Sequence, residues 1–116
     1  MEHKDLVKAL SKPGKQILSE LSEKDVELLH MAIGVAEEGG EILGNVKKYI
    51  FYRKLLDIGK VIEELGDIEY FLEGLRQQLG LSREQCIKNN ITKLSKRYKG
   101  LKYSNEAAIN RVDQHE

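Results

Sequence analysis

The chain has no tryptophan, a single proline (Pro13) and a single cysteine (Cys86). One thiol cannot build an internal disulfide framework, and its isolation fits a reducing, cytoplasmic setting. Without a neighbouring histidine motif, Cys86 reads as a small apolar filler on a helix rather than as a nucleophile. No apolar run reaches the ~18 residues of a membrane span, and no signal-peptide pattern opens the chain. An excess of one charge is lacking too: 19 basic and 19 acidic residues give a net charge of zero. That balance points to neither nucleic acid nor an anionic membrane as a partner. Also missing are alternating Val/Ile/Thr-rich runs bounded by turn residues, which argues against strands. The predicted class is all-α.

What is present reads as helices with punctuation. Two short amphipathic pieces, Leu6-Val7-Leu10 and Ile17-Leu18-Leu21, flank the breaker Lys12-Pro13-Gly14 and form an N-terminal arm over residues 1–21. The main domain is assigned to 22–116. It opens at Ser22, an N-cap with Glu23 and Asp25 in the first turn. The helix that follows is apolar on nearly every side from Val26 to Ala36 and runs to about Tyr52. A helix apolar all round must be covered all round, so a homodimer or homotetramer is expected. Asp57 caps the next helix, and Gly80 ends it. Ser82 with Gln85 gives a capping-box signature for another helix, which reaches Tyr98 and stops at Gly100. Ser104 starts a short last helix. The sum is an all-α helical bundle in one domain.

Carboxylates interrupt the two most apolar helices. Val35 to Leu43 reads VAEEGGEIL, and Val61 to Glu69 nearly repeats it as VIEELGDIE. Glu38 and Glu41 share a helix face, with Glu37 one turn below Glu41; Glu64 and Asp67 pair likewise, with Glu63 one turn before Asp67. If the helices run antiparallel, the two pairs face each other. Four converging carboxylates in a partly dry site need a cation, and Mg²⁺ or Mn²⁺ suits hard oxygen ligands. Gly39, Gly40 and Gly66 sit beside the acids, each costing about 1 kcal/mol against Ala in a helix interior. Such glycines mark close approach by a ligand or another backbone. Asn90, Lys93 and Arg97, with Lys47 and Lys48, would supply a cationic rim for a polyphosphate.

These residues resemble a family. Glu37-Glu38-Gly39-Gly40-Glu41 followed by Glu64-Leu65-Gly66-Asp67 is similar to the EExxE…ExxD signature of MazG-like, all-α nucleoside triphosphate pyrophosphohydrolases. The likeness extends through LLHMAIGVAEEGGE, KK, EELGDI, NITKLSKRY and YSNEAAINR, from about Leu28 to Arg111, and looks like phage and bacterial members. It implies Mg²⁺-dependent cleavage of a (deoxy)nucleoside triphosphate to monophosphate and pyrophosphate. Carried over by position, Glu38, Glu41, Glu64 and Asp67 look like metal ligands and Glu37 like a catalytic carboxylate. Lys48, Asn90, Lys93, Arg97 and Tyr98 look like substrate contacts.

The chemistry this implies is metal-assisted hydrolysis, with Glu37 or Glu63 taking a proton from water. Tyr49, Tyr52, Tyr98 and Tyr103 are candidates to flank the base, and His30 reads as a core histidine. A phosphoribosyl-ATP pyrophosphohydrolase shares this metal logic and remains an alternative, as does a non-catalytic helical module. A redox di-iron bundle requires paired Glu-x-x-His motifs, and the chain does not have the pair.

Overall fold

A computed structural model describes residues 1–114; the domain end assigned at 116, and His115, lie outside the described residues. Six α-helices follow one another: α1 His3–Leu10, α2 Gly14–Glu20, α3 Glu23–Phe51, α4 Ile58–Leu79, α5 Arg83–Arg97 and α6 Asn105–Asn110. Two 3₁₀ turns, Lys99–Leu101 and Val112–Gln114, flank α6. No strand occurs among the described residues, so the class is all-α. No described helix is long and apolar enough to cross a membrane.

The sequence signals act where they stand. Ser22 accepts from the Asp25 N–H at 3.1 Å, and the Ser22 N–H donates to the Asp25 carboxylate at 3.0 Å, closing a capping box on α3. Hydrogen bonding from the Ser22 backbone holds the Asp25 carboxyl below its ordinary range. Asp57 accepts from the Lys60 N–H at 3.0 Å and starts α4. Ser82 and Gln85 form the expected reciprocal pair at 3.1 and 2.7 Å. Gly80 adopts φ 67°, while the Leu81 N–H reaches the Arg76 carbonyl and the Gly80 N–H that of Gln77. That is the Schellman ending, which needs a left-handed residue and so favours glycine.

The chain divides into two compact units, Met1–Phe71 and Leu72 onward, with α4 contributing to both. In the first unit, α3 and α4 run antiparallel: Gly34 meets Phe71, while Asn45, further along α3, meets Glu64, earlier on α4. Phe71 lies flat against Gly34, where a Cβ would stand 2.2 Å from its ring. Tyr70 and His30 meet the Phe71 ring edge-on, at centroid distances of 5.2 and 6.3 Å. In the second unit, α5 packs against both 3₁₀ turns.

Burial departs from the sequence reading. No apolar side chain is buried among the described residues. Val26, Leu29 and Ile33, expected to be covered by a second copy, are 51, 51 and 53% exposed in the single chain, which leaves that expectation open. His30 is exposed rather than in a core, and Cys86 is exposed on α5 rather than a filler. Periodicity identifies which side chains need cover but not which chain supplies it.

Candidate functional site

The first unit holds the acidic residues. Glu38 on α3 is half-buried, and its Oε2 is buried without a hydrogen-bond partner. Burial pushes the Glu38 carboxyl above its ordinary range, and the neighbouring Glu41, Asp67 and Glu37 carboxylates push it the same way. Glu38 and Glu41 thus share a face of α3, with Asp67 of α4 within electrostatic reach. This is the convergence expected of an antiparallel pair. Glu37, Glu41 and Asp67 are themselves exposed.

Glu64 is arranged differently. It is buried as a whole residue, at 3% exposure. The Asn45 amide of α3 donates to both of its carboxylate oxygens, at 3.3 and 3.2 Å. A buried carboxylate needs a donor, and a neutral amide supplies one without neutralising the charge. Among the described residues no three His, Cys, Asp or Glu side chains stand close enough together to enclose a metal ion. The expected four-carboxylate set is therefore not drawn together: Glu38 has Glu41 and Asp67 within electrostatic reach, while Glu64 is held by Asn45.

Sequence reasoning missed Asn45 and Lys60. Both line an open cavity of about 300 Å³ with Glu41, Gly44, Lys48 and Glu64. Asn45 lies four residues after Glu41, and Lys60 four before Glu64, so helical spacing places each beside an acid already singled out. The glycine argument also shifts. A Cβ at Gly39, Gly40 or Gly66 would meet nothing within 4 Å, whereas Gly34, which was not singled out, carries the close contact.

The second unit holds Asn90, Lys93, Arg97 and Tyr98, and they are partly engaged. Arg97 grips Asp113 through two hydrogen bonds, Nε at 2.8 Å and Nη2 at 3.2 Å. Only 13% of the Arg97 side chain and 2% of that of Asp113 are exposed. The Arg97 guanidinium, followed at longer range by Lys93, holds the Asp113 carboxyl below its ordinary range. Lys93 shares a small cavity with Asn89, Thr92, Lys96 and Asp113. Asn90 and Tyr98 instead line a largely apolar cavity of about 350 Å³ with Leu94 and Tyr103. There the Tyr98 and Tyr103 rings lie 5.7 Å apart, tilted by 32°, and the Tyr103 hydroxyl donates to Asn105 at 2.6 Å. The other two tyrosines considered for a base, Tyr49 and Tyr52, are exposed on and just after the end of α3, where Lys47 lies over the Tyr52 ring.

No protein-family model matches the chain, and neither a curated protein nor a solved structure is significantly similar to it.

Proposed function

We propose that the chain is a MazG-like nucleoside triphosphate pyrophosphohydrolase that uses Mg²⁺, or Mn²⁺ in its place. The observation that carries this reading is Glu38: one carboxylate oxygen is buried without a hydrogen-bond partner, and the Glu41, Asp67 and Glu37 carboxylates lie within electrostatic reach. Oxygen donors of this kind suit a hard divalent cation, and these carboxylates would have to draw together to enclose one. Glu38, Glu41 and Asp67 would hold it, joined by Glu64 when that carboxylate turns from Asn45. Bound Mg²⁺ supplies neutralisation of phosphate charge and a water of lowered pKa.

The chain's own residues supply the rest. Glu37 or Glu63, exposed and outside the ligand set, accepts the proton of the water that attacks the α-phosphorus. The bond from the α-phosphorus to its bridging oxygen breaks, and pyrophosphate leaves. In this reading Lys48, on the helix that carries Glu38 and Glu41, contacts the substrate.

The same reading makes the active form a homodimer or homotetramer whose copies complete a helical bundle. Exposed apolar side chains on both main helices support this, Val26, Leu29 and Ile33 on α3 with Ile62 and Leu65 on α4. Sedimentation showing a compact monomer at micromolar concentration would remove that part.

Product identity tests the activity. A nucleoside triphosphate incubated with the protein and Mg²⁺ should yield monophosphate and pyrophosphate in equal amounts. Diphosphate with orthophosphate would mean attack at the γ-phosphorus, and no turnover across a panel of nucleotides would refute the reading.

A further inference from the structure

The cavity lined by Glu41, Gly44, Asn45, Lys48, Lys60 and Glu64 contains charges of both signs that do not neutralise each other. On α3, Glu41, Asn45 and Lys48 follow one face; on α4, Lys60 and Glu64 stand four apart, as helix neighbours. A Lys60–Glu64 ion pair would be the ordinary outcome of that spacing. It does not form, because Glu64 is turned inward to the Asn45 amide. Lys48 lies a full two turns beyond Glu41, out of reach of a direct pair along the helix. Neither Lys48 nor Lys60 has an ion-pair partner among the described residues. Two ammonium groups therefore line a cavity that also contains two carboxylates.

A simple anion would meet repulsion from Glu41 and Glu64 here, and a simple cation would meet it from the lysines. A polyphosphate chain chelated by a divalent cation matches both, with the cation on the carboxylate side and phosphate oxygens on the ammonium side. We propose that Lys48 and Lys60 form the polyphosphate subsite of the chain. This assignment rests on the function proposed above and adds Lys60 to its substrate contacts. It places the grip on the phosphates on the two helices that also carry the carboxylates. A volume of about 300 Å³ is at the lower end of the range for small-molecule sites, which suits a phosphate chain better than a whole nucleotide.

Calorimetric titration of the full chain with inorganic tripolyphosphate in Mg²⁺ tests the subsite without requiring turnover. Lys60→Ala and Lys48→Ala should each weaken binding roughly tenfold, the size of one lost charge-assisted hydrogen bond. The double variant should lose more, and Lys60→Arg should retain part of the affinity. Lys24→Ala, at the exposed start of α3, should bind as wild type. In nucleotide hydrolysis the lysine variants should raise KM more than they lower kcat. Both positions are exposed, so helicity by circular dichroism should be unchanged. Lysine-dependent tripolyphosphate binding without cleavage of any nucleotide would support the subsite and remove the proposed activity. Nucleotide cleavage with tripolyphosphate binding unchanged in the double variant would overturn the subsite and leave the activity standing. Failure of the wild type to bind tripolyphosphate would also overturn the subsite.

Discussion

Glu64 in the first unit and Asp113 in the second are both carboxylates withdrawn from solvent, yet they are held in opposite ways. Asp113 receives a guanidinium through two hydrogen bonds, so its charge is cancelled where it stands. Glu64 receives one neutral amide, and Glu38 of the same unit has one buried oxygen without a hydrogen-bond partner. A satisfied charge fastens a structure, whereas an unsatisfied one persists where something outside the chain completes it. By that criterion the second unit's ion pair is a fastening, and the first unit's carboxylates are where the site is proposed.

Turnover should separate the two most strongly. Asp67→Asn and Glu41→Gln should abolish pyrophosphate release, a loss of at least 100-fold in kcat/KM. Asp113→Asn should leave kcat within a few-fold while loosening the Val112–Gln114 turn from α5, as hydrogen exchange would register. Equal losses in both units would erase the distinction.

Stability should respond next. Asn45→Leu leaves a buried carboxylate without its donor and should cost about 1–3 kcal/mol in urea unfolding. Gly34→Ala should cost a similar ~1–3 kcal/mol, because Phe71 must move for the new methyl group. Arg97→Ala and Asp113→Ala should instead behave as one event, with the double variant little worse than either single one.

The pH dependence should be smaller and opposite in sign between the units. The Glu38 carboxyl is raised, so folding favours its protonated form, and that contribution is lost as pH rises through the raised value. The Asp113 carboxyl is lowered, so its contribution is present above the ordinary carboxylate range and lost as pH falls through the lowered value. Mild acidification without metal should therefore protect α3 amides near Glu38 against exchange. Stronger acid should release Asp113. Mg²⁺ should remove the first effect and leave the second unchanged.

The least effect is expected from Gly66→Ala. The site faces open space, so helix propensity alone should stabilise the isolated chain by up to about 1 kcal/mol. Lost turnover in that variant would identify Gly66 as a place where a ligand or a second copy approaches.

Local signals in the sequence translated directly into structure. Ser22, Asp57, Ser82 and Ser104 start helices because a side-chain oxygen beside the first turn needs no tertiary context. Gly80 and Gly100 hold the positive φ that their positions after α4 and α5 demand. The shared face of Glu38 and Glu41 follows from helical spacing alone. What was not legible depends on the facing helix. Nothing in Asn45 itself marks it as the donor to Glu64, 19 residues away. Likewise the pairing of Arg97 with Asp113 requires the return of the chain through two turns and α6. Gly34 was overlooked because a glycine amid apolar residues gives no sign of the ring that lies on it.

Cation binding by the first unit is the claim on which the rest depends, and a Mn²⁺ titration followed by electron paramagnetic resonance measures it without substrate. The wild type should bind Mn²⁺, and Glu38→Gln should weaken binding at least tenfold while Arg97→Lys leaves it unchanged. A wild type that leaves all Mn²⁺ free, or a Glu38→Gln variant that binds as tightly as wild type, would contradict the account.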